Sequence, residues 1–461
     1  MALILREAGC VQSGELKHPI FFNLPRSSGE PTMKQETQTT ISGSAGAHGE
    51  IGLRVAWSGT AMTTQELDAA LGDVWDRQTN KDIPPQRDFA RTGPGTLAGR
   101  LLRKAWQPVY IAGDLKAGWP RAIKVLGEEI TLYRGEGGKA FAVGGRCAHR
   151  GLLLSTGMVE GDSIRCAYHG WKYNGTGKCV AQPAEPQLND KIKIPSYPVY
   201  EYLGLLFIYM GDGDPPEPPQ FKPFEQSGII ANFLIDCPWN YFQHLENAVD
   251  ETHLAFLHDR SVYQAVNFAV PRIEIEETGF GFAQYGIRNG NLKRRKYVHM
   301  PNMTAWPQPP LHPQEKAWRE MLGWRVPVDD RRHITIGVAH HHVDEKDIVS
   351  FVESIKEERS RLQKLSKPEM LAMAVLTGKV RSADVELRDP PSDMTMIQDF
   401  YAMIGQGAIA DRVHENLGSA DEGIVTLRKL YEREMTALLE GRPLTVWENT
   451  IPMPHPGELP K

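Results

Sequence analysis

Residues 145–175 read GRCAHRGLLLSTGMVEGDSIRCAYHGWKYNG, and this stretch decides how the first half of the chain folds. Cys147 and His149 form a Cys-x-His pair, sixteen residues intervene, and Cys166 and His169 form Cys-x2-His. Thiolates are soft donors suited to iron–sulfur clusters. Replacing two of four cysteines by histidines on one iron leaves the cluster less negative and raises its potential. With one Cys and one His at each loop tip, each loop can supply one ligand to each iron, two thiolates on the first and two imidazoles on the second. Gly144, Gly145, Gly151 and Gly170 permit the tight backbone such loops need. A structural zinc ion also takes two cysteines and two histidines. Zinc modules, however, pair Cys with Cys and His with His, whereas the order here mixes them twice. A [2Fe–2S] cluster on Cys147, His149, Cys166 and His169 is therefore expected.

The surroundings of this motif read as short strands and turns from about 105 to 215. Segments 123–125 and 130–133 flank Gly127-Glu128 as a hairpin, and 139–143 is another short strand. Segment 171–173 runs into Asn174-Gly175, a tight-turn signal. GDGDPPEPPQ at 211–220 marks a boundary. Beyond it, 239–259, 350–378 and 419–440 read as helices, the last entered through Ser419 and Asp421, while 270–285 and 332–343 alternate like strands. The fold class is thus α+β: an all-β cluster domain at 105–215, then a catalytic domain of helices and antiparallel sheet at 216–461. Residues 62–104 are expected to be a helical segment packed on the folded part, entered through a capping box at Thr63 and Glu66. Residues 1–61, rich in Thr, Ser, Gly and Gln, are expected to be a disordered extension or the product of an upstream start codon.

Composition narrows the function classes. The chain has 461 residues, 41% of them hydrophobic, and a net charge of −5, which gives no reason to expect nucleic acid or a membrane surface as partner. No apolar run approaches the roughly 20 residues that span a bilayer. The start MALILREAGCVQSG lacks a basic region ahead of a long apolar one and is not read as a signal peptide. Five scattered cysteines do not make a disulfide scaffold, and a reducing cytoplasm is the expected location.

A second donor group follows in WNYFQHLENAVDETHLAFLHD at 239–259, which holds Asp250, His253 and His258. Two histidines and a carboxylate on one side of a metal, with open positions opposite, suit mononuclear iron that activates oxygen. On a helix Asp250 and His253 would be neighbours. His253 and His258, five apart, would point about 140° away from each other at 3.6 residues per turn. To share a metal, the helix must bulge or end near residues 255–258. The carboxylate candidates further on are Glu386, Asp389, Asp393, Asp399 and Asp411.

RCAHRG … CAYHGWKYNGTGKC resembles the Rieske motif of the Rieske non-haem iron aromatic-ring-hydroxylating oxygenases. It differs from the Rieske protein of respiratory complexes, because Ala148, Arg150, Gly151, Ala167 and Tyr168 leave no extra cysteine in either ligand loop. The resemblance covers roughly 85–445 and includes GPGTLAGRLLRKAWQPV and WRVPVDDRRHITIGV. MIQDFYAMIGQGAIADRVHENLGSADEGI, at 396–424, is similar to the C-terminal signature of the phthalate-dioxygenase-like subgroup. The resemblance implies that His253, His258 and Asp399 bind the iron. It makes Asp250 the bridge between the iron histidine of one subunit and a Rieske histidine of its neighbour, with Asn247 three residues ahead of it. Asp411-Arg412 is expected to be an internal ion pair.

The same resemblance implies a terminal oxygenase that uses O2 to hydroxylate, dihydroxylate or O-demethylate a small aromatic substrate, an aromatic carboxylate or an aryl ether. It also implies a homotrimer or a stacked pair of trimers. A separate NAD(P)H-dependent flavin reductase is implied too, since the chain contains neither a dinucleotide loop nor a plant-type ferredoxin run. The alternative is a Rieske electron carrier with an appended binding domain. Arg288, Arg294, Arg295 and Arg325 are candidates to meet a substrate carboxylate, although surface positions are the ordinary place for arginine. His340, His341 and His342 fall on alternating faces of a strand, so at most one face looks into a pocket. Cys10, Cys179 and Cys237 read as plain small residues.

Overall fold

The computed structural model describes residues 20–22, 83–226, 228–258, 269–288, 291–362, 368–385 and 391–454. Thr63 and Glu66 lie outside the described residues, as do Glu386, Asp389 and Cys10. Within 1–61 the described piece is β1 (Ile20–Phe22), which departs from the expectation of disorder there. It pairs in parallel with the strand at 229–237, Ile20 opposite Ile229.

A short helix, α1 (Leu97–Arg103), is capped by Thr96, whose side chain accepts from the Gly99 amide. The cluster-bearing part then builds three small antiparallel sheets. One contains β3 (Pro120–Val125), β4 (Glu128–Arg134), β5 (Ala140–Gly144) and β10 (Ser196–Tyr197). Another contains β6 (Met158–Glu160), β7 (Ser163–Arg165), β8 (Lys172–Asn174) and β9 (Cys179–Ala181). The third joins β2 (Gln107–Ile111), β11 (Val199–Tyr202) and β12 (Leu205–Ile208). The expected hairpin is β3–β4, but its two-residue turn falls one residue earlier than Gly127-Glu128, since Val125 pairs with Glu128. The turn is Leu126-Gly127, both at positive φ (51° and 83°), the mirror-image turn that matches strand twist. That turn docks on the second half of the chain: the Leu126 and Gly127 amides donate to the Pro327 and Val328 carbonyls at 2.8 and 2.9 Å.

The second half is organised by one eight-stranded sheet. Its strands are β13 (Ile229–Cys237), β14 (Arg272–Thr278), β15 (Gly281–Arg288), β16 (Asn291–His299), β17 (Met303–Gln308), β18 (Arg319–Asp329) and β19 (Arg332–His341). With β1 at one edge, the order is β1-β13-β19-β18-β17-β16-β15-β14. One face of β18 and β19 presents Leu322, Trp324, Val326, Ile336 and Val338 to a core shared with β12, where Phe207 meets Trp324 edge-on at 5.5 Å. The opposite face, offset by one residue along each strand, looks into a cavity. The helices are α2 (Tyr241–Val249), α3 (Ile348–Leu362), α4 (Pro368–Leu376), α5 (Pro391–Gly405) and α6 (Glu422–Leu439). Helices α4 and α5 bury Met373, Phe400 and Met403 against Cys237 and Trp239.

Within the stretch 350–378, α3 is described to Leu362 and α4 from Pro368, and residues 363–367 lie outside the described residues. One helical expectation changes. The helix expected over 239–259 stops at Val249. Asn240 caps its start by accepting from the Phe242 amide, and Asp250 ends it in an extended conformation (φ −80°, ψ 109°). The Asp250 carboxylate accepts from the Thr252 and His253 amides at 2.8 and 3.2 Å, offering the backbone a competing partner to further helix. A short 3-10 turn, His253–Ala255, follows. The break falls earlier than 255–258, with the expected consequence: the His253 and His258 rings lie 5.1 Å apart.

Candidate metal centres and substrate cavity

The two cluster loops are built alike. The Cys147 amide donates to the Leu152 carbonyl (2.9 Å), and the Cys166 amide to Trp171 (2.8 Å). In each loop the glycine four residues on, Gly151 or Gly170, turns at φ near +75° and donates back to its cysteine carbonyl. Both cysteines are buried, whereas His149 is exposed and His169 half-buried, so the imidazole side faces outward. The His149 and His169 rings approach to 4.5 Å, and Trp171 stacks on His149 at 4.6 Å. Sequence reading missed Tyr173, whose hydroxyl lies 3.2 Å from Cys147 Sγ and accepts from the Ala148 amide. Burial and the Cys147 thiol push that hydroxyl well above its ordinary range, so it keeps its proton and can donate it to a thiolate at Cys147. Among the described residues, the donor sets that converge within 4.8 Å do not include these four, as one zinc ion would require. Their chemistry and spacing fit a two-iron cluster, and Cys147, Cys166 and Cys179 are free thiols.

In the second half, His253, His258 and Asp399 come together with donor atoms within 4.8 Å of one another. Two of them follow the break after α2, and Asp399 comes from α5. His258 Nε2 lies 3.2 Å from Asp399 Oδ1. His258 Nδ1 lies 2.9 Å from the Gln398 amide oxygen, which can only accept, so Nδ1 carries a proton and Nε2, beside Asp399, is the nitrogen that would serve a metal. The Asn247 amide donates to Asp399 at 3.3 Å. Asp250 Oδ2 stands 3.5 Å from His253 Nδ1, behind the ring rather than among the three donors. Burial alone would raise the Asp250 carboxyl, and His253 with the two amides holds it below its usual range. The donor set of two imidazoles and one carboxylate fits mononuclear iron.

Asp411 is not part of this group. It bonds His414 at 2.7 Å, and Arg412 pairs with Glu246 rather than with Asp411. The expected Asp411–Arg412 pair is therefore replaced by two others, because Arg412 turns inward to a carboxylate on α2.

Glu251, which carried no signal in the sequence, is fully buried beside Asp250. It meets Lys296 at 2.6 Å, Arg288 at 3.1 Å and Arg294 at 3.3 Å. These cations hold its carboxyl far below the usual range against the effect of burial, and burial brings the Lys296 amine down to about 8. Glu251→Gln should strand three buried cations and destabilise the fold by about 3–5 kcal/mol, read from denaturant unfolding. An unchanged midpoint would show that the cluster does not hold this loop.

A cavity of about 440 Å³ opens beside His253, His258 and Asp399, a size that suits a small aromatic molecule. Its floor is the sheet face carrying Phe233, Ile235, Cys237, Trp306, Met321 and Thr335. Four basic side chains line it, Arg294, Lys296, Arg319 and Arg325, against two carboxylates, Glu358 and Asp399. The arginines at 288, 294 and 325 are buried, not at the surface, because the sheet face turns them inward. Arg295 points to the other side and lies over Tyr285. Gly323 leaves room for the Trp306 ring, which a Cβ would meet at 2.8 Å, and Arg325 stacks on that ring at 5.3 Å. Of the three consecutive histidines, His341 lines the cavity, while His340 and His342 turn to Glu320 on the other face.

At the cavity wall, Glu315 accepts from the Leu311 and His312 amides and from His341 Nδ1 (2.8 Å). Burial raises its carboxyl, and His341, Arg319 and the amide bonds bring it down to about 2. A folded value below the unfolded 4.5 means that stability is present above pH 4.5 and is lost as pH falls toward 2. Glu315→Gln should flatten stability against pH in that window; an unchanged acid limb would show that Glu315 does not contribute.

Residues 105–198 match the family described as Rieske [2Fe-2S] domain. The chain is 30% identical over 366 residues to the 5,5'-dehydrodivanillate O-demethylase oxygenase subunit of Sphingobium sp. (strain NBRC 103272 / SYK-6), covering 77% of this chain and 80% of that one. It is 29% identical over 393 residues to the phenoxybenzoate dioxygenase subunit alpha of Ectopseudomonas oleovorans, covering 77% and 86%. Among solved structures, the terminal oxygenase of carbazole 1,9a-dioxygenase from Novosphingobium sp. KA1 aligns with a TM-score of 0.54 at 20% identity. That alignment covers 80% of this chain and 97% of that chain, a likeness of fold. The chain belongs to the Rieske non-haem iron oxygenases, as an oxygenase subunit. Membership brings a [2Fe–2S] cluster and a mononuclear iron, and it replaces the electron-carrier alternative, since the match runs through both halves. No described helix is long and apolar enough to cross a membrane.

Proposed function

We propose that this oxygenase subunit hydroxylates, dihydroxylates or O-demethylates a small aromatic substrate carrying a carboxylate or an aryl ether. The observation that carries the reading is the convergence of His253, His258 and Asp399 beside a cavity lined by Arg325, a buried cation with no ion pair among the described residues. In this reading those three residues hold the iron, and Cys147, His149, Cys166 and His169 hold the cluster. When bound, the iron supplies oxygen activation and the cluster supplies single electrons.

The chain's own residues prepare the site. Gln398 fixes the His258 tautomer, Asn247 orients Asp399, and Asp250 holds the turn that presents His253. Arg325 is buried, stacks on Trp306 and forms no ion pair among the described residues, which suits a guanidinium awaiting an anionic group. The relatives named for dehydrodivanillate and phenoxybenzoate support an aromatic acid or ether. Asp250 acts as the link to the cluster of a neighbouring subunit in a homotrimer, or in a stacked pair of trimers, in the cytoplasm. A separate NAD(P)H-dependent flavin reductase, with or without its own ferredoxin domain, supplies electrons. The test is a screen of aromatic acids and aryl ethers for substrate-dependent O2 uptake by the iron-loaded chain with a surrogate reductase. Uptake with aromatic acids supports the reading; uptake confined to aliphatic alcohols, or none, overturns it.

A further inference from the structure

On the cavity side of α2, one turn before Asn247, stands His244. Its Nδ1 lies 2.8 Å from His333 Nε2, and His333 Nδ1 lies 2.8 Å from the Trp239 carbonyl oxygen. A carbonyl can only accept, so His333 carries its proton on Nδ1. His333 is completely buried, and burial brings its imidazole down to about 3, so Nε2 is a lone pair that must accept. The proton between the two rings therefore sits on His244 Nδ1, with the Thr335 hydroxyl 3.2 Å from the same atom. Burial, Arg325 and His333 hold the His244 imidazole well below its ordinary range, so the ring is neutral. Its Nε2 is left with a lone pair. Among the described residues that atom has no hydrogen-bond partner, and it is not among the buried unpartnered atoms, so it opens to the cavity.

We infer that His244 Nε2 is a preset acceptor for a hydroxyl on the substrate, which makes the preferred substrate an aromatic acid with a free phenolic hydroxyl. The relay from the Trp239 carbonyl through His333 is what presets it: each bond in the chain has one direction, so the ring cannot switch tautomer without breaking both. A phenolic hydroxyl is a strong donor, and Arg325 nearby favours partial negative charge on its oxygen. A methoxy group or hydrogen at the same ring position gives Nε2 nothing to accept. This deepens the proposed function, since it rests on the cavity being the substrate site.

The test measures binding, not turnover. Benzoates with one free hydroxyl at each ring position, some also methoxylated, are paired with their hydrogen and methoxy analogues. Their Kd values are measured by calorimetry on the full iron-loaded chain and on His244→Asn. The asparagine amide reproduces the donor to His333 and removes the outward acceptor. At least one hydroxyl compound should bind the wild-type chain about 10–100-fold tighter than its partners, and His244→Asn should erase that preference while leaving hydroxyl-free compounds unchanged. No preference in the wild type, a preference that survives in His244→Asn, or no binding of any hydroxyl compound overturns the inference. If His244→Asn does not fold, the wild-type series still decides. O2 uptake without hydroxyl preference would leave the oxygenase reading standing and remove this one; hydroxyl preference without O2 uptake would do the reverse.

Discussion

Asp250→Asn is expected to leave both metal centres loaded while turnover falls by about 100-fold or more. The carboxylate does two separable things. Its Oδ1 accepts from the Thr252 and His253 amides, which shapes the turn after α2. Asparagine keeps that oxygen, so the turn, His253 and the iron should stay in place. Its Oδ2 faces His253 Nδ1 at 3.5 Å, and there the amide puts N–H donors against a ring nitrogen that must carry the proton when Nε2 is the metal donor. The negative charge that steadies the ring, and that would link it to a neighbouring subunit, is gone. Iron and acid-labile sulfide per chain, the visible spectrum and O2 uptake together measure the outcome. Full activity in this variant would reject Asp250 as the bridge; loss of iron would make it a purely local support.

Asp399→Ala should lower the iron content from about three per chain to about two. The cluster spectrum should be untouched, and O2 uptake should vanish. The carboxylate reaches His258 Nε2 at 3.2 Å and is held by Asn247, so its removal leaves two imidazoles for a cation that needs an anionic donor. Burial would raise the Asp399 carboxyl, and the two histidines hold it below the usual range, so it is charged when iron arrives. Asp411→Ala is the control, because among the described residues Asp411 bonds locally, to His414 and the Val413 amide. Iron loss in the control and not in Asp399→Ala would move the third ligand away from Asp399.

How much of this was legible depended on sequence distance. The cluster loops are local: each Cys/His pair, its glycine and its turn lie within five residues, so spacing alone carries the geometry. The β3–β4 hairpin was legible for the same reason. The region after α2 was half legible. Five-residue spacing demanded a break in the helix, but its place depended on the Asp250 side chain capping the backbone, a choice that helical periodicity does not record. Asp399 was one of several candidate carboxylates, separated from the rest only by resemblance.

By itself the sequence determined that the chain is α+β, and it pointed to the donor chemistry: which cysteines and histidines are proposed to hold the cluster, and which histidines the mononuclear iron. Only the tertiary structure decided what surrounds the donors. Glu251 carried no signal until two adjacent strands, β15 and β16, delivered Arg288, Arg294 and Lys296 to it. Arg325 was one of four candidate arginines, with nothing to separate it from a surface residue until strand alternation placed it inside a cavity. Gln398 and His244 acquired their roles from partners far along the chain, 140 and 89 residues away. The physical reason is that a ligand's identity is a property of one side chain, whereas its protonation, orientation and company are set by groups that meet only when the chain closes.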